Sequence, residues 1–275
     1  MLLGIILPEA LTNVINKTKF ENRGIKCAII FITMYSLTFF LYQFSRSLYD
    51  VIFMLITLKF FSLIFGLKTH KPLVFEDYIK SKLSTKFSFL LLWFVFMFID
   101  HFSSKIFSKF FPIEFLIRLQ TLILLIGLVF TMVGGFLIDR FGRKSSLLLS
   151  YVYLGIVYAI VTIIGRIEFI ILEGLVWGIL TLLFTMVIWG DLCNPRERIF
   201  YIALSIIIIL INRIIIILIP PIIEIQQLFS FISLFLFISA FIILLIPETL
   251  PENVRRKREL SSYIKKVKKI KEKYG

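Results

Sequence analysis

Charged side chains are scarce, at 17% of 275 residues, and cysteine and histidine appear twice each. Soluble domains carry nearer ~25% charge, so a surface solvated by water on every side is excluded. His70 and His101 stand alone, and no Cys/His spacing resembles a metal site. No metal and no cofactor are expected. The marks of membrane enzymes are missing too. There is no paired Asp-rich motif, no His-Glu-x-x-His and no Gly-x-Ser-x-Gly elbow, so catalysis is not expected. The first residues run into Pro8-Glu9-Ala10 with no basic region ahead of their apolar stretch, which argues against a cleavable signal peptide.

What the chain has in excess is apolar length. It is 59% hydrophobic, with a mean hydropathy of +0.96. Several runs approach the ~20 residues that cross a bilayer. Candidate transmembrane helices fall at 27–44, 51–67, 87–110, 115–138, 145–165, 169–190, 199–219 and 226–247, the second interrupted by Lys59. The expected fold is all-α, a polytopic integral membrane protein with about eight transmembrane helices. Three parts are expected: 1–86 with two spans and a basic linker, 87–251 with six spans, and a basic tail from 252 to 275.

Positive charge sets the orientation. Segments 1–26, 68–86, 139–145, 190–198 and 248–275 hold 24 of the 31 Lys and Arg. The opposite set holds only Arg46, Lys105, Lys109, Arg118 and Arg166, while Lys59 and Arg213 lie inside spans. Both termini are therefore expected in the cytoplasm of a cell-membrane protein. Cys27 and Cys193 fall near that face, where thiols stay reduced. The net charge of +14 reads as a topology signal, with no nucleic-acid partner. In the tail, Leu260, Tyr263, Ile264, Val267 and Ile270 recur at helical spacing among ten cations. That is a basic amphipathic helix suited to the inner membrane surface.

Between two of the longest runs sits a tight charged turn, Gly135-Phe-Leu-Ile-Asp139-Arg140-Phe-Gly142-Arg143-Lys144. It resembles the loop between the second and third helices of a six-helix half in major facilitator superfamily transporters, Gly-x-Leu-x-Asp-Arg-x-Gly-Arg-Lys, with every fixed position filled. Gly190-Asp191-Leu-Cys-Asn-Pro195-Arg196-Glu-Arg198 and Pro247-Glu248-Thr249 are similar to segments after the fourth and sixth helices of such halves. A shorter echo links residues 6–14 to 246–254. The resemblance implies a secondary transporter that moves a small solute by alternating access between two bundles, usually coupled to an ion gradient. It also implies gating roles for Gly135, Asp139, Arg140, Gly142, Arg143 and Lys144, with Asp139 meeting the positive end of a helix in the other half. Because 87–251 supplies one half, the partner is expected to be a second copy or another six-helix half. The alternative is a non-transporting membrane subunit or remnant.

Ionisable groups inside spans are costly and mark function by default. Asp100 shares a face with Ser103, Ser104 and Phe107. Glu173 opens a stripe with Trp177, Thr181 and Thr185. By the resemblance, Asp100, Glu173 and Trp177 face the solute or proton pathway, and Arg213 neutralises a carboxylate. Gly127, Thr131 and Gly135 recur every four residues as one small-residue packing face, with Gly174 and Gly178 on another.

Overall fold

In lipid a backbone N–H or C=O finds no water, so long apolar runs bond internally as helices. The structure, a computed structural model, describes residues 2–44, 79, 81–219 and 225–274. Nine helices follow in chain order among them, with a short 3₁₀ turn (Phe20–Asn22) between the first two: α1 (Leu2–Asn16), α2 (Arg23–Phe44), α3 (Leu83–Phe110), α4 (Ile113–Phe141), α5 (Arg143–Ile164), α6 (Ile167–Leu192), α7 (Pro195–Leu218), α8 (Ile225–Leu245) and α9 (Glu252–Tyr274). The described residues form no strand. Helices α3 to α8 are six long, apolar helices able to cross a membrane, the mark of a multi-pass membrane protein. The expected 27–44 segment is helical as α2, while the expected span 51–67, with Lys59, and His70 lie outside the described residues. Helix α1 takes in the apolar first residues and runs on through Pro8-Glu9.

Local chemistry sets the ends. Pro112 starts α4, and Gly142 stops it at φ +97°. Gly165 closes α5 in the left-handed region at φ +71°, its N–H bonded to the Val161 carbonyl. The Asn194 side chain caps α7 by accepting from the Arg196 and Glu197 N–H groups, with Pro195 in the first turn.

Helix α6 is the axis. It begins as a 3₁₀ turn (Ile167–Glu173) and passes through a π turn at Leu183–Val187. Residues 178–193 are all buried. Around it, α5 packs along α8, α3 along α7, and α4 along both α6 and α2. Trp93 stacks on Phe184 at 5.1 Å, and Trp189 donates to the Phe184 carbonyl and the Ser205 hydroxyl. Exposed apolar residues such as Val129, Ile163, Ile217 and Leu218 line the outside, where lipid rather than water would cover them.

Close crossings rest on glycine. A Cβ on Gly178 would lie 2.1 Å from the Thr131 hydroxyl and 2.3 Å from the Gly127 carbonyl. Gly127 and Thr131 therefore face α6, as the small-residue pattern predicts. Gly135 does not share that contact: its Cβ would lie 2.7 Å from Ala28 and 2.8 Å from the Gly24 carbonyl, so it faces α2. The eight residues from 127 to 135 turn α4 by ~80° at 100° per residue, enough to reach a different neighbour.

Candidate functional site

Two polar clusters lie at opposite ends of α6, separated by roughly 27 Å of helix between Glu173 and Asp191.

At the Asp191 end the charged turn closes onto α1 and α2. Asp139 sits at the last turn of α4, where its carboxylate accepts from the backbone N–H groups of Gly24 and Ile25, both at 2.9 Å. Those amides open α2, so the carboxylate meets the positive end of a helix. The Gly24–Gly135 approach brings it there. The partner was expected from a second copy or another half; here residues 23–44 of the same chain supply it.

Asp191, with no exposed surface, lies between Arg23 (2.5 Å) and Arg143 (2.9 Å). Every guanidinium nitrogen of both arginines has a partner. Arg143 gives hydrogen bonds to the Ile138 and Phe20 carbonyls and lies 3.5 Å from Asp139. Arg23 bonds Thr18 and covers the Phe20 ring. A buried ion pair is tolerable only with such satisfaction. Glu248 accepts from the Arg143 and Lys144 N–H groups, capping α5, and Lys144 reaches the Leu244 carbonyl. A Cβ on Gly142 would meet Glu248 at 2.7 Å. Arg140 lies apart from this knot, exposed beside the Phe136 and Phe141 rings.

A reciprocal exchange joins two turns here. Arg23 crosses to Asp191, and Arg198 crosses back to the Asn16 side-chain oxygen at 2.5 Å. Asn16 precedes Arg23 by the same seven residues that separate Asp191 from Arg198. The α1–α2 turn thus mirrors the α6–α7 turn, and that spacing was the legible signal for Arg23 and Arg198. The echo between 6–14 and 246–254 has no structural counterpart, since Pro8-Glu9 lies within α1 while Pro247-Glu248 lies between α8 and α9. Cys193 is buried beside this knot, and burial pushes its thiol up to about 12.

At the other end, Asp100, Glu173, Trp177 and Arg213 line one cavity of about 290 Å³ with Ser103, Ser104, Phe107 and Gln120. It adjoins a wider space of about 530 Å³ reached by His101 and Lys105. Four of the expected pathway residues, from three helices, therefore converge. Thr181 and Thr185 do not join them; their hydroxyls bond carbonyls one turn back within α6.

Arg213 Nε donates to His101 Nε2 at 3.1 Å. His101 Nδ1 lies 3.3 Å from Asp100 Oδ2, out of line for a hydrogen bond. The Tyr158 hydroxyl donates to Glu173 at 3.1 Å. His101 and Tyr158 were missed from sequence because neither carries a spacing signal; only the packing of α3 on α7 and of α5 on α6 brings them in. Lys105 holds the Ile216, Ile217 and Ile219 carbonyls, closing the C-terminus of α7. Helix α2 connects the two ends: its first turn carries the Asp139 contact, and Tyr35, roughly 16 Å further along, meets Trp177 edge-on at 6.4 Å.

A scan against protein-family models finds no match to this chain, and a search of curated proteins finds no relative.

Proposed function

We propose that this protein is a secondary-transporter-type membrane protein of the major facilitator kind. It moves a small solute by alternating access, coupled to an ion, in the cell membrane with both termini cytoplasmic. The observation that carries the reading is the Asp139 carboxylate seated on the Gly24 and Ile25 amides in the first turn of α2. A carboxylate at a helix N-terminus gains about 0.3–1 kcal/mol, up to about 2 when partly buried. That is strong enough to hold a closed state and weak enough to release. Asp191, shared by Arg23 and Arg143, adds a second fastener at the same end.

With that end fastened, Asp100, Glu173, Trp177 and Arg213 form the solute and proton site at the other. Helix α2 carries motion between them, because releasing Asp139 frees the helix whose Tyr35 rests on Trp177. Gly135 and Gly142 permit the close approaches, and Arg143 and Lys144 hold the start of α5. Arg140 faces the water or headgroups as a positive anchor.

The test is uptake into vesicles reconstituted with the pure protein, screened across sugars, amino acids, organic anions and organic cations. Asp139→Asn keeps one acceptor oxygen, so the folded yield should fall little while the transport rate changes several-fold. Uptake with unaltered kinetics would sink the latch. If no solute is taken up, the non-transporting subunit reading takes its place.

A further inference from the structure

Helix α9 carries an apolar stripe that the bundle leaves uncovered. Leu260, Tyr263, Ile264, Val267 and Ile270 are all exposed, and at 100° per residue they fall on one side. The rest of the helix is cationic: residues 252–275 hold ten Lys and Arg against three Glu. At 23 residues the helix is long enough to span, but its charge forbids that. Its stripe suits the boundary between headgroups and acyl chains.

Its origin is placed accordingly. Only Thr249, Leu250 and Pro251 separate α9 from Glu248, which caps α5. Lys257 lies 3.2 Å from Glu21 in the turn before α2. Helix α9 thus leaves the bundle at the latch end, where α4, α6 and α8 also stop. Most of the chain's Lys and Arg gather at that end, and the leaflet attracting such charge is the anionic one.

We propose that α9 is a docking helix for an anionic membrane leaflet. Its stripe enters the headgroup boundary, and its Lys and Arg ring the stripe and reach the lipid charges. Docking leaves the adjoining Glu248 and the Glu21 turn close to that surface. The proposal rests on the membrane-spanning reading of the bundle and is independent of transport.

The experiment uses the full chain in lipid nanodiscs, with Val267→Cys carrying an environment-sensitive fluorophore and Ser261→Cys as the off-stripe control. Cys27 and Cys193 are buried and leave the new thiol as the reactive one. In discs with about 30% anionic lipid, the Val267 label should brighten several-fold and shift to the blue. About 0.5 M salt should reverse the change by screening, and Lys265→Gln, Lys266→Gln, Lys268→Gln and Lys269→Gln together should abolish it. An equal signal in neutral discs overturns the proposal, as does no signal or an equal rise at Ser261. A response to short RNA in neutral discs, with none to anionic lipid, overturns it in favour of nucleic acid.

Discussion

Asp191 has no exposed surface and two guanidinium partners, which makes it the residue whose loss is most costly. Asp191→Asn keeps the shape but leaves Arg23 and Arg143 buried with a neutral amide between them. Removing one member of a buried pair costs about 3–5 kcal/mol, and melting of the detergent-solubilised protein should fall accordingly. A drop no larger than that of Arg140→Gln, at an exposed site, would mean that water already screens the knot. At the far end His101 accepts from Arg213 at 3.1 Å and joins α3 to α7 beside the cavity. Of the proposed pathway residues, Asp100, Glu173 and Arg213 announce themselves as charges inside apolar runs. His101, which holds Arg213, does not, because a lone histidine in a span has no spacing pattern of its own.

The elements meet where glycine removes the side chain. Gly178 lies against the Gly127 carbonyl and the Thr131 hydroxyl, and backbone cannot swing aside as a flexible side chain can. Gly178→Ala should therefore force α4 and α6 apart, costing about 1–3 kcal/mol as overpacking does. Gly165→Ala is the contrast. Nothing lies within 4 Å of its Cβ position, and only the positive φ of +71° opposes it, so about 1 kcal/mol is expected. Thermal denaturation of both variants checks the order, and equal losses would deny the close crossing. Spacing alone foretold the Gly174–Gly178 face. It put Gly135 on the Gly127–Thr131 face, whereas Gly135 meets Gly24 and Ala28 of α2, because a four-residue repeat drifts around the helix.

For the molecule as a whole, one end is tied and the other holds the cavity. Cys193 reports on the tied end. Its thiol moves from the ordinary 9.0 to about 12 through burial, which neighbouring Lys86 only partly offsets. Raising a thiol pKa lowers the thiolate population, here by roughly a thousandfold near neutral pH. Maleimide labelling of Cys193 should thus be slow and should rise with pH. Arg198→Gln, which removes the donor to the Cys193 carbonyl and the crossing to Asn16, should speed it at least tenfold, as read by peptide mass spectrometry. A rate unchanged by Arg198→Gln would show that the thiol is shielded independently of that crossing.

Composition and pattern determined that the chain is helical and apolar enough to enter a membrane, and where most helices lie. Hydropathy is a local property, and a helix satisfies its own backbone whatever stands beside it. A reversal within a few residues needs glycine and charge, and the resemblance carried by that turn marked Gly135, Asp139, Arg140, Gly142, Arg143 and Lys144 as special. Only tertiary structure decided that Asp139 meets Gly24 and Ile25, that Arg23 and Arg198 cross between two turns, and that Asp100, Glu173, Trp177 and Arg213 share one cavity. Between helices those contacts join residues up to 182 positions apart, and they depend on which helix faces which. That choice is made by packing, by the fit of glycine to backbone and of buried charge to its partner, and no single run of residues carries it.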